Sequence, residues 1–113
     1  MKSYTDIEQS KKLAEILPIK SADAFYDLAE PEKRQVPIIG GPDDYYDMED
    51  WTLPCWSLAA LFELLPYPIL SRSDVNNFCC KIFKGSIVVS SSGKNSIDAC
   101  VEMIYKLKEK DLI

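Results

Sequence analysis

A proline-bracketed apolar stretch in the middle of the chain, residues 51–70, constrains the fold more than any other feature. It reads WTLPCWSLAALFELLPYPIL, and its only residues that are neither apolar nor proline are Thr52, Ser57 and Glu63. Proline is tolerated in the first turn of a helix but not in a helix interior. Pro54 therefore predicts a helix start and Pro66 a helix stop, so we expect Trp56–Leu65 to form a short buried helix.

The length and composition indicate one folded domain. The chain has 113 residues, enough for a single domain over 1–113, and its apolar fraction of 47% is typical of globular proteins. No apolar run reaches the roughly 20 residues that a membrane-spanning helix needs. The first residues, MKSYTDIEQSKK, contain no hydrophobic segment of the signal-peptide kind. We therefore expect a cytoplasmic protein that does not associate with a membrane.

The negative charge is concentrated in one segment. Residues 21–50 contain two basic and nine acidic residues, a net charge of −7, whereas the whole chain carries −5. Frequent proline and glycine make the later part of this segment, at about 30–50, loop-rich as well as acidic. Nucleic-acid-binding surfaces are usually basic, and no basic cluster stands out in the sequence. We therefore expect no nucleic-acid partner.

The four cysteines are Cys55, Cys79, Cys80 and Cys100, and the chain has no histidine. None of them forms a Cys-x-x-Cys pair. Cys79 and Cys80 are adjacent in a predicted strand, so their side chains point to opposite faces and cannot easily share one tetrahedral ion. This pattern favours buried free thiols in a reducing compartment over a metal site or disulfides.

Two helices are predicted before the acidic segment. Thr5 and Glu8 have the spacing of a capping box, which predicts a helix over about Ile7–Leu17. Apolar residues at helical spacing predict a second, shorter helix over Ser21–Ala29. Val36–Ile39 is at most a short edge strand, because it contains a proline, which has no N–H to donate.

A β-hairpin is predicted over residues 78–90. Two strands, Phe78–Lys84 and Ile87–Ser90, flank Gly85-Ser86, a connection suited to tight hairpins. Pairing across this turn predicts a core face made of Phe78, Cys80, Ile82, Ile87 and Val89. The opposite face is only partly polar, so a third strand or an oligomer contact is expected to cover it. Its residues are Lys81, Phe83, Val88 and Ser90.

The C-terminal helix is the clearest predicted element. Asn95 is a favourable N-cap, and Asp98 places an acid in the first turn. A continuous apolar stripe then follows at helical spacing, formed by Ile97, Cys100, Val101, Ile104 and Leu107. Together these elements predict an α+β fold in which about three helices pack on a small antiparallel sheet that contains the 78–90 hairpin.

Two segments invite a catalytic interpretation, and neither supports one. Ser90–Asn95 lies between a strand and a helix, but it lacks the first glycine and the final hydroxyl of a phosphate-binding loop. It predicts a capped connection, with a lone anion at that helix terminus as the open alternative. Cys55 and Ser57 lie near a predicted helix start, but a nucleophile needs an adjacent base and the chain has no histidine. We expect no catalytic residue, no metal and no cofactor, and hence not an enzyme.

The acidic run DDYYDMED, residues 43–50, is the strongest candidate for a binding site. It lacks the central glycine of a calcium-binding loop, so it does not predict a calcium site. A solvated loop is the plain interpretation, and a recognition loop for a basic protein partner is the more specific one. Imitation of nucleic acid ranks below ordinary protein binding. The predicted partner-binding residues are Asp43, Asp44, Tyr45, Tyr46, Asp47 and Asp50.

Three blocks of the sequence carry a resemblance to known proteins: YTDIEQSKKL at 4–13, PCWSLAAL continuing to LLP at 54–66, and DACVEMI at 98–104. With these blocks the chain resembles a group of short uncharacterised proteins from prophages and mobile elements of gut bacteria. The match spans most of the chain except the segment at 30–50. The resemblance implies a phage-like or mobile-element origin and a cytoplasmic setting in the host. It implies no catalytic residue, because the group has no established activity.

These observations lead to three hypotheses about function. The first is a non-enzymatic accessory protein of a phage or mobile element that acts by binding another protein. The alternative is a structural or self-assembling subunit of a phage particle, a homo-oligomer that would use the partly apolar face of the hairpin. The third, ranked well below both, is a hydrolase that uses clustered carboxylates.

Overall fold

The computed structural model describes residues 2–28, 36–40 and 52–113. These residues form three α-helices and two three-stranded antiparallel sheets, so the predicted α+β class is confirmed. The chain divides into two compact units. The N-terminal unit comprises residues 4–60, and the C-terminal unit comprises residues 61–113 together with the first three. The expectation of a single domain over 1–113 stays a prediction.

The N-terminal unit combines one helix with a small sheet. Its elements are helix α1 (Ile7–Ile16), a 3-10 turn (Ile19–Ser21) and strands β1 (Ala24–Asp27), β2 (Ile38–Ile39) and β3 (Thr52–Cys55). The strand order is β2-β1-β3, both pairings are antiparallel, and α1 packs on β3. The short edge strand expected within residues 36–39 is confirmed as β2. The core of this unit contains Ala24, Tyr26, Leu53 and Cys55.

The helix predicted over Ser21–Ala29 is wrong, because the middle of that segment is strand β1. β1 pairs with β3 from Ala24 opposite Cys55 to Asp27 opposite Thr52. Its residues alternate between buried and half-buried, which is the period of a strand rather than of a helix. The spacing that suggested a helix is overridden by backbone partners almost thirty residues further along the chain.

Helix α1 is confirmed, but its capping residues lie one position later than predicted. The capping box joins Asp6 and Gln9: Gln9 N donates to Asp6 Oδ1 at 2.8 Å, and Asp6 N donates to Gln9 Oε1 at 3.1 Å. Thr5, the predicted cap, is instead fully buried. A glutamine can replace a glutamate in this motif, so Asp6 and Gln9 form the same type of capping box as the one predicted one residue earlier.

The central helix is confirmed, but it begins later than predicted. Helix α2 spans Leu58–Leu64, whereas Pro54 lies in β3 opposite Phe25. A proline is tolerated there because β3 is an edge strand, in which alternate N–H groups face no neighbouring strand. Ser57 precedes α2, and its hydroxyl accepts a hydrogen bond from Ala60 N at 3.2 Å. The predicted burial of this stretch is confirmed for Trp56, Leu61 and Leu65.

The C-terminal unit is a meander of three strands with a helix on it. Its elements are β4 (Ile69–Asp74), β5 (Asn77–Lys84), β6 (Ile87–Gly93) and helix α3 (Ser96–Glu109). The strand order is β4-β5-β6, and all pairings are antiparallel. The predicted hairpin is therefore confirmed as β5 and β6. Gly85 in its turn has a φ of +64°, a backbone conformation that glycine adopts without strain.

Helix α3 covers one face of this sheet, packing on β5 and β6. Its N-cap is Asn95, whose side chain accepts from Asp98 N at 2.8 Å, as predicted. The helix approaches the end of β6 so closely that a Cβ added at Gly93 would lie 2.6 Å from Ala99 N. The whole predicted apolar stripe is buried: Ile97, Cys100, Val101, Ile104 and Leu107.

Candidate functional site

The acidic run predicted as a binding site lies outside the described residues. This applies to all six of its named members: Asp43, Asp44, Tyr45, Tyr46, Asp47 and Asp50. Their role in partner binding stays a prediction, and so does the hydrolase hypothesis, which depends on the same carboxylates. The site therefore has to be sought among the residues whose surroundings the structure describes.

The inner face of the β4-β5-β6 sheet is occupied by packing against α3. Cys80, Ile82 and Val89 are buried there, as predicted, together with Ser91, whose hydroxyl donates to Ala99 O at 2.7 Å. Two other predicted core residues of this face are not fully buried: Phe78 is half-buried, and Ile87 is 47% exposed. Ile87 pairs with Lys84 beside the hairpin turn. At that end of the sheet it is only partly covered.

The outer face of the same sheet carries apolar side chains that remain exposed. Phe83 pairs directly with Val88, and Lys81 pairs with Ile69 on one side and Ser90 on the other. Directly paired and diagonal side chains on one face lie within contact range of each other. The exposed fractions are 51% for Ile69, 49% for Phe83 and 56% for Val88. We call Ile69, Lys81, Phe83 and Val88 the outer patch.

Tyr67 adds a fully exposed aromatic side chain next to this patch along the chain. It lies two residues before Ile69, between Pro66 and Pro68, and is 90% exposed. Its φ of +47° is uncommon for a residue other than glycine. The flanking prolines restrict the backbone on both sides of it. An exposed tyrosine held in this way is of the type enriched at protein interfaces.

Both free edges of the sheet carry features that discourage pairing with another strand. At the β6 edge, Lys106 of α3 donates from Nζ to Ser90 O at 2.7 Å, so this edge carbonyl is already satisfied. At the β4 edge, the register shifts between Arg72 and Asp74, which places a bulge and two charged residues there. Charges and bulges are common devices against edge-to-edge aggregation. The open surface of this sheet is therefore its outer face rather than its edges.

Lys81 gives the outer patch its electrostatic character. Its side chain is exposed, and among the described residues no carboxylate is paired with it. Its neighbours on the outer face are uncharged, namely Ser71, Cys79, Ser90 and Ser92, and the face carries one carboxylate further along, Asp74 opposite Asn77. Lys106 of α3 reaches the β6 edge at Ser90 O, and one helical turn before it α3 carries Glu102. The patch thus combines apolar contact area with a central positive charge.

The N-terminal unit contains a buried polar network around Thr5. Thr5 Oγ1 accepts from Trp56 N at 3.1 Å and lies 2.8 Å from Ser10 Oγ, while Tyr26 Oη donates to Thr5 O at 2.7 Å. Burial, with smaller contributions from Cys55 and Asp6, raises the pKa of Tyr26 to about 12. Among the described residues, no buried polar side chain lacks a hydrogen-bond partner. This network stabilises the unit and leaves no free group for a ligand.

The two residues weighed as nucleophiles have structural roles. Ser57 Oγ donates to Asp23 Oδ2 and also accepts from Ala60 N, so its hydroxyl is committed to fixing the start of α2. Burial, with the nearby Asp23 carboxylate, raises the pKa of the Cys55 thiol to about 12. A thiol with such a pKa is not a nucleophile at neutral pH. The expectation that both residues pack in the core is confirmed for Cys55, which is fully buried.

The remaining cysteines separate by face. Cys80 on the inner face and Cys100 on α3 are buried, whereas Cys79 is half-buried on the outer face. Hydrogen bonding to Cys80, together with burial, raises the pKa of Cys100. The same hydrogen bond lowers the pKa of Cys80, and burial opposes that shift. The predicted burial holds for Cys55, Cys80 and Cys100.

The segment that resembled a phosphate-binding loop is a capped connection, as predicted. Ser90 and the three residues after it belong to β6, and Asn95 occupies the N-terminus of α3. Asp98 brings a carboxylate to the same turn, and Lys2 Nζ binds its Oδ1 at 2.8 Å. A helix N-terminus that already holds its own acid has little affinity for a second anion.

Within residues 2–28, 36–40 and 52–113, no three His, Cys, Asp or Glu side chains come together as metal ligands. In the same ranges no helix has the length and apolarity that crossing a bilayer requires. No protein-family model, no curated protein and no solved structure matches this chain.

The sequence predicts three of the four residues of the outer patch. The hairpin prediction placed Lys81, Phe83 and Val88 on one partly apolar face, and the register confirms that placement. The third strand, which brings Ile69 to the face, was not located in advance, and β4 extends the sheet beside β5 without covering the face. Its signal in the sequence was Pro68 followed by six residues and the turn at 75–76.

Proposed function

We propose that this protein is non-enzymatic and acts by binding another protein through the outer face of its β4-β5-β6 sheet. The observation that carries the proposal is the outer patch, in which three apolar side chains adjoin one another and remain about half exposed. Single exposed apolar residues are normal on a protein surface, but contiguous apolar patches mark interaction sites.

The rigidity of the face supports this role. Two of the three strands of the outer patch, β5 and β6, are held from behind by α3, whose inner surface is buried against them. A binding surface on a regular sheet requires little ordering when a partner arrives, so little of the interaction free energy is lost. Tyr67 and Phe83 offer aromatic side chains of the kind that dominate binding energy at interfaces.

The experiment is affinity capture from a lysate of a gut bacterium with a natural bait and a Phe83→Ser/Val88→Ser bait. Both substituted side chains are about half exposed, so the double variant is expected to fold, as checked by circular dichroism and melting temperature. We expect partners that the natural bait retains to be lost from the double variant.

The matched control is Ile39→Ser. Ile39 is 78% exposed in β2 of the N-terminal unit, so the substitution also removes an exposed apolar side chain, but one that does not belong to the outer patch. This bait is expected to retain the same partners as the natural chain. Equal capture by all three baits would reject the outer face as the binding surface.

Self-assembly is the second candidate, because the same apolar patch would also be covered by another copy of the chain. Lys81 argues against the simplest arrangement: a face-to-face pair with its two-fold axis near the patch centre brings two unpaired lysines together. Sedimentation velocity over a hundredfold range of protein concentration separates the candidates. A monomer throughout excludes the structural-subunit role.

The origin in a phage or mobile element and the cytoplasmic setting are carried by the sequence resemblance alone and stay part of this proposal. The acidic run at 43–50 stays a predicted second binding element. Its five carboxylates suit a basic partner, whereas the outer patch presents a lysine, so the two surfaces would not bind the same ligand chemistry.

A further inference from the structure

We infer that the outer patch recognises an acidic apolar segment: a carboxylate that pairs with Lys81, flanked by aromatic or aliphatic side chains that cover Ile69, Phe83 and Val88. This inference rests on the proposed function and adds the chemistry of the partner. It is drawn from the charge of the face, from the position of that charge within the apolar side chains, and from the state of the sheet edges.

The charge within the outer patch is of one sign. Lys81 is its only charged residue, and no carboxylate is paired with it within the described residues; the nearest outer-face carboxylate by register, Asp74 opposite Asn77, lies beyond Ser71 and Cys79. Lys106 adds a second ammonium beside Ser90, which is the residue paired with Lys81. Complementary charge favours the right partner and penalises the wrong one, so a partner carboxylate is favoured and a basic partner is disfavoured.

The position of Lys81 makes this charge part of the contact area rather than of its margin. Ile69 is directly opposite Lys81, and Phe83 and Val88 form the next pair along the strands. Apolar side chains around an ion pair exclude water from it, and a shielded pair interacts more strongly than a solvated one. The lysine stem also offers methylene groups to an apolar partner.

The two edges of the sheet disfavour strand addition, and this determines how the partner segment binds. The carbonyl of Ser90 is held by Lys106, and a bulge interrupts β4 at Arg72–Asp74, so adding a strand at either edge is disfavoured. The partner segment is therefore recognised by side chains across the face, and its sequence rather than its backbone determines affinity. A sequence-dependent ligand can be selected from a library.

The test is selection of a displayed library of random twelve-residue peptides on the immobilised full chain. We expect the enriched peptides to contain Asp or Glu beside an aromatic or aliphatic residue. The Lys81→Glu bait is expected to lose these peptides, with affinity of the best one reduced at least tenfold. The Lys81→Met bait keeps the apolar stem and is expected to bind more weakly, with a smaller dependence on salt between 50 and 500 mM than the natural chain shows.

The control for net charge is Lys11→Glu, which makes the same change on an exposed position of α1. It is expected to bind the selected peptides as the natural chain does.

If enriched peptides show no excess of acids, or if Lys81→Glu binds the same acidic peptides, the inferred partner chemistry is wrong. The proposed function survives that result as long as Phe83→Ser/Val88→Ser abolishes peptide binding. Peptide binding that the double variant retains, or a library with no enrichment, overturns both.

Discussion

The two faces of the β4-β5-β6 sheet are built from the same strands but differ in burial. On the inner face, Ile82 and Val89 form a direct pair that is almost completely buried under α3. On the outer face, the neighbouring pair of Phe83 and Val88 is equally apolar but about half exposed. One pair is covered by the chain itself, and the other is not.

This contrast shows that alternation along a strand does not by itself specify a core. A strand assigns side chains to two faces, and a second element is needed to cover either one. Here the apolar stripe of α3 covers the inner face, and among the described residues no element of the C-terminal unit packs on the other. Under the proposed function, a partner protein covers this second apolar face.

The largest expected effect separates the two faces by stability. Ile82→Ala removes a fully buried side chain and should lower the free energy of unfolding by about 2–5 kcal/mol. Phe83→Ala removes a larger side chain from the outer face, and the change should stay within about 1 kcal/mol, because it leaves no internal cavity. Urea unfolding of both variants checks this, and equal losses would contradict the exposed position of Phe83.

The next largest expected effect is a loss of stability at alkaline pH, caused by the buried thiols Cys80 and Cys100 between the inner face of the sheet and α3. The pKa of Cys100 is raised by its hydrogen bond to Cys80 and by burial, so the folded pair retains a proton that both thiols would release when unfolded. A raised folded pKa contributes stability that is fully present below the unfolded value of 9.0 and is lost above it. This pair contributes a loss of at most about 1.4 kcal/mol for each pH unit, and Cys55, whose pKa is also raised, contributes a separate loss of the same sign.

Unfolding free energies measured between pH 8 and pH 10.5 test this. The natural chain should lose stability across that range, and Cys100→Ala should lose less with pH, although it begins from a lower value. Cys79→Ser is the matched control, since it changes a thiol on the outer face and should keep the natural slope. Parallel slopes for the natural chain and Cys100→Ala would show that the buried thiol pair is not responsible.

Elements whose signals are local were predicted from the sequence. The stripe from Ile97 to Leu107 marks α3 because every residue needed to recognise the helix lies within it. The hairpin is equally local, since Gly85 and the flanking strands are contiguous. In both cases the backbone partners lie in the same segment or in the one directly after it, so residues close in the sequence are sufficient to specify them.

Elements whose partners are distant were not predicted. β1 was assigned as a helix because its strand partner, β3, begins at Thr52. Pro54 was assigned to a helix for the same reason, since its position in an edge strand depends on that pairing. The candidate site was found only in part, because exposure of Phe83 and Val88 depends on which face α3 covers. A sequence shows alternation, but tertiary contacts decide which side is buried.

The smallest expected effect is a difference in alkylation between two adjacent cysteines, which reports which face of the sheet is exposed. Cys79 and Cys80 are adjacent in β5 and point to opposite faces, with Cys79 half-buried and Cys80 buried. Iodoacetamide on the folded chain should therefore modify Cys79 first, with little change in melting temperature, while Cys55, Cys80 and Cys100 react only after unfolding in urea. Peptide mass spectrometry identifies the modified residue, and Cys79→Ser should make the folded chain inert. Early labelling of Cys80 would mean that the register of β5 is shifted by one residue, which exchanges its two faces. The outer patch would then be the core, and the proposed binding surface would not exist.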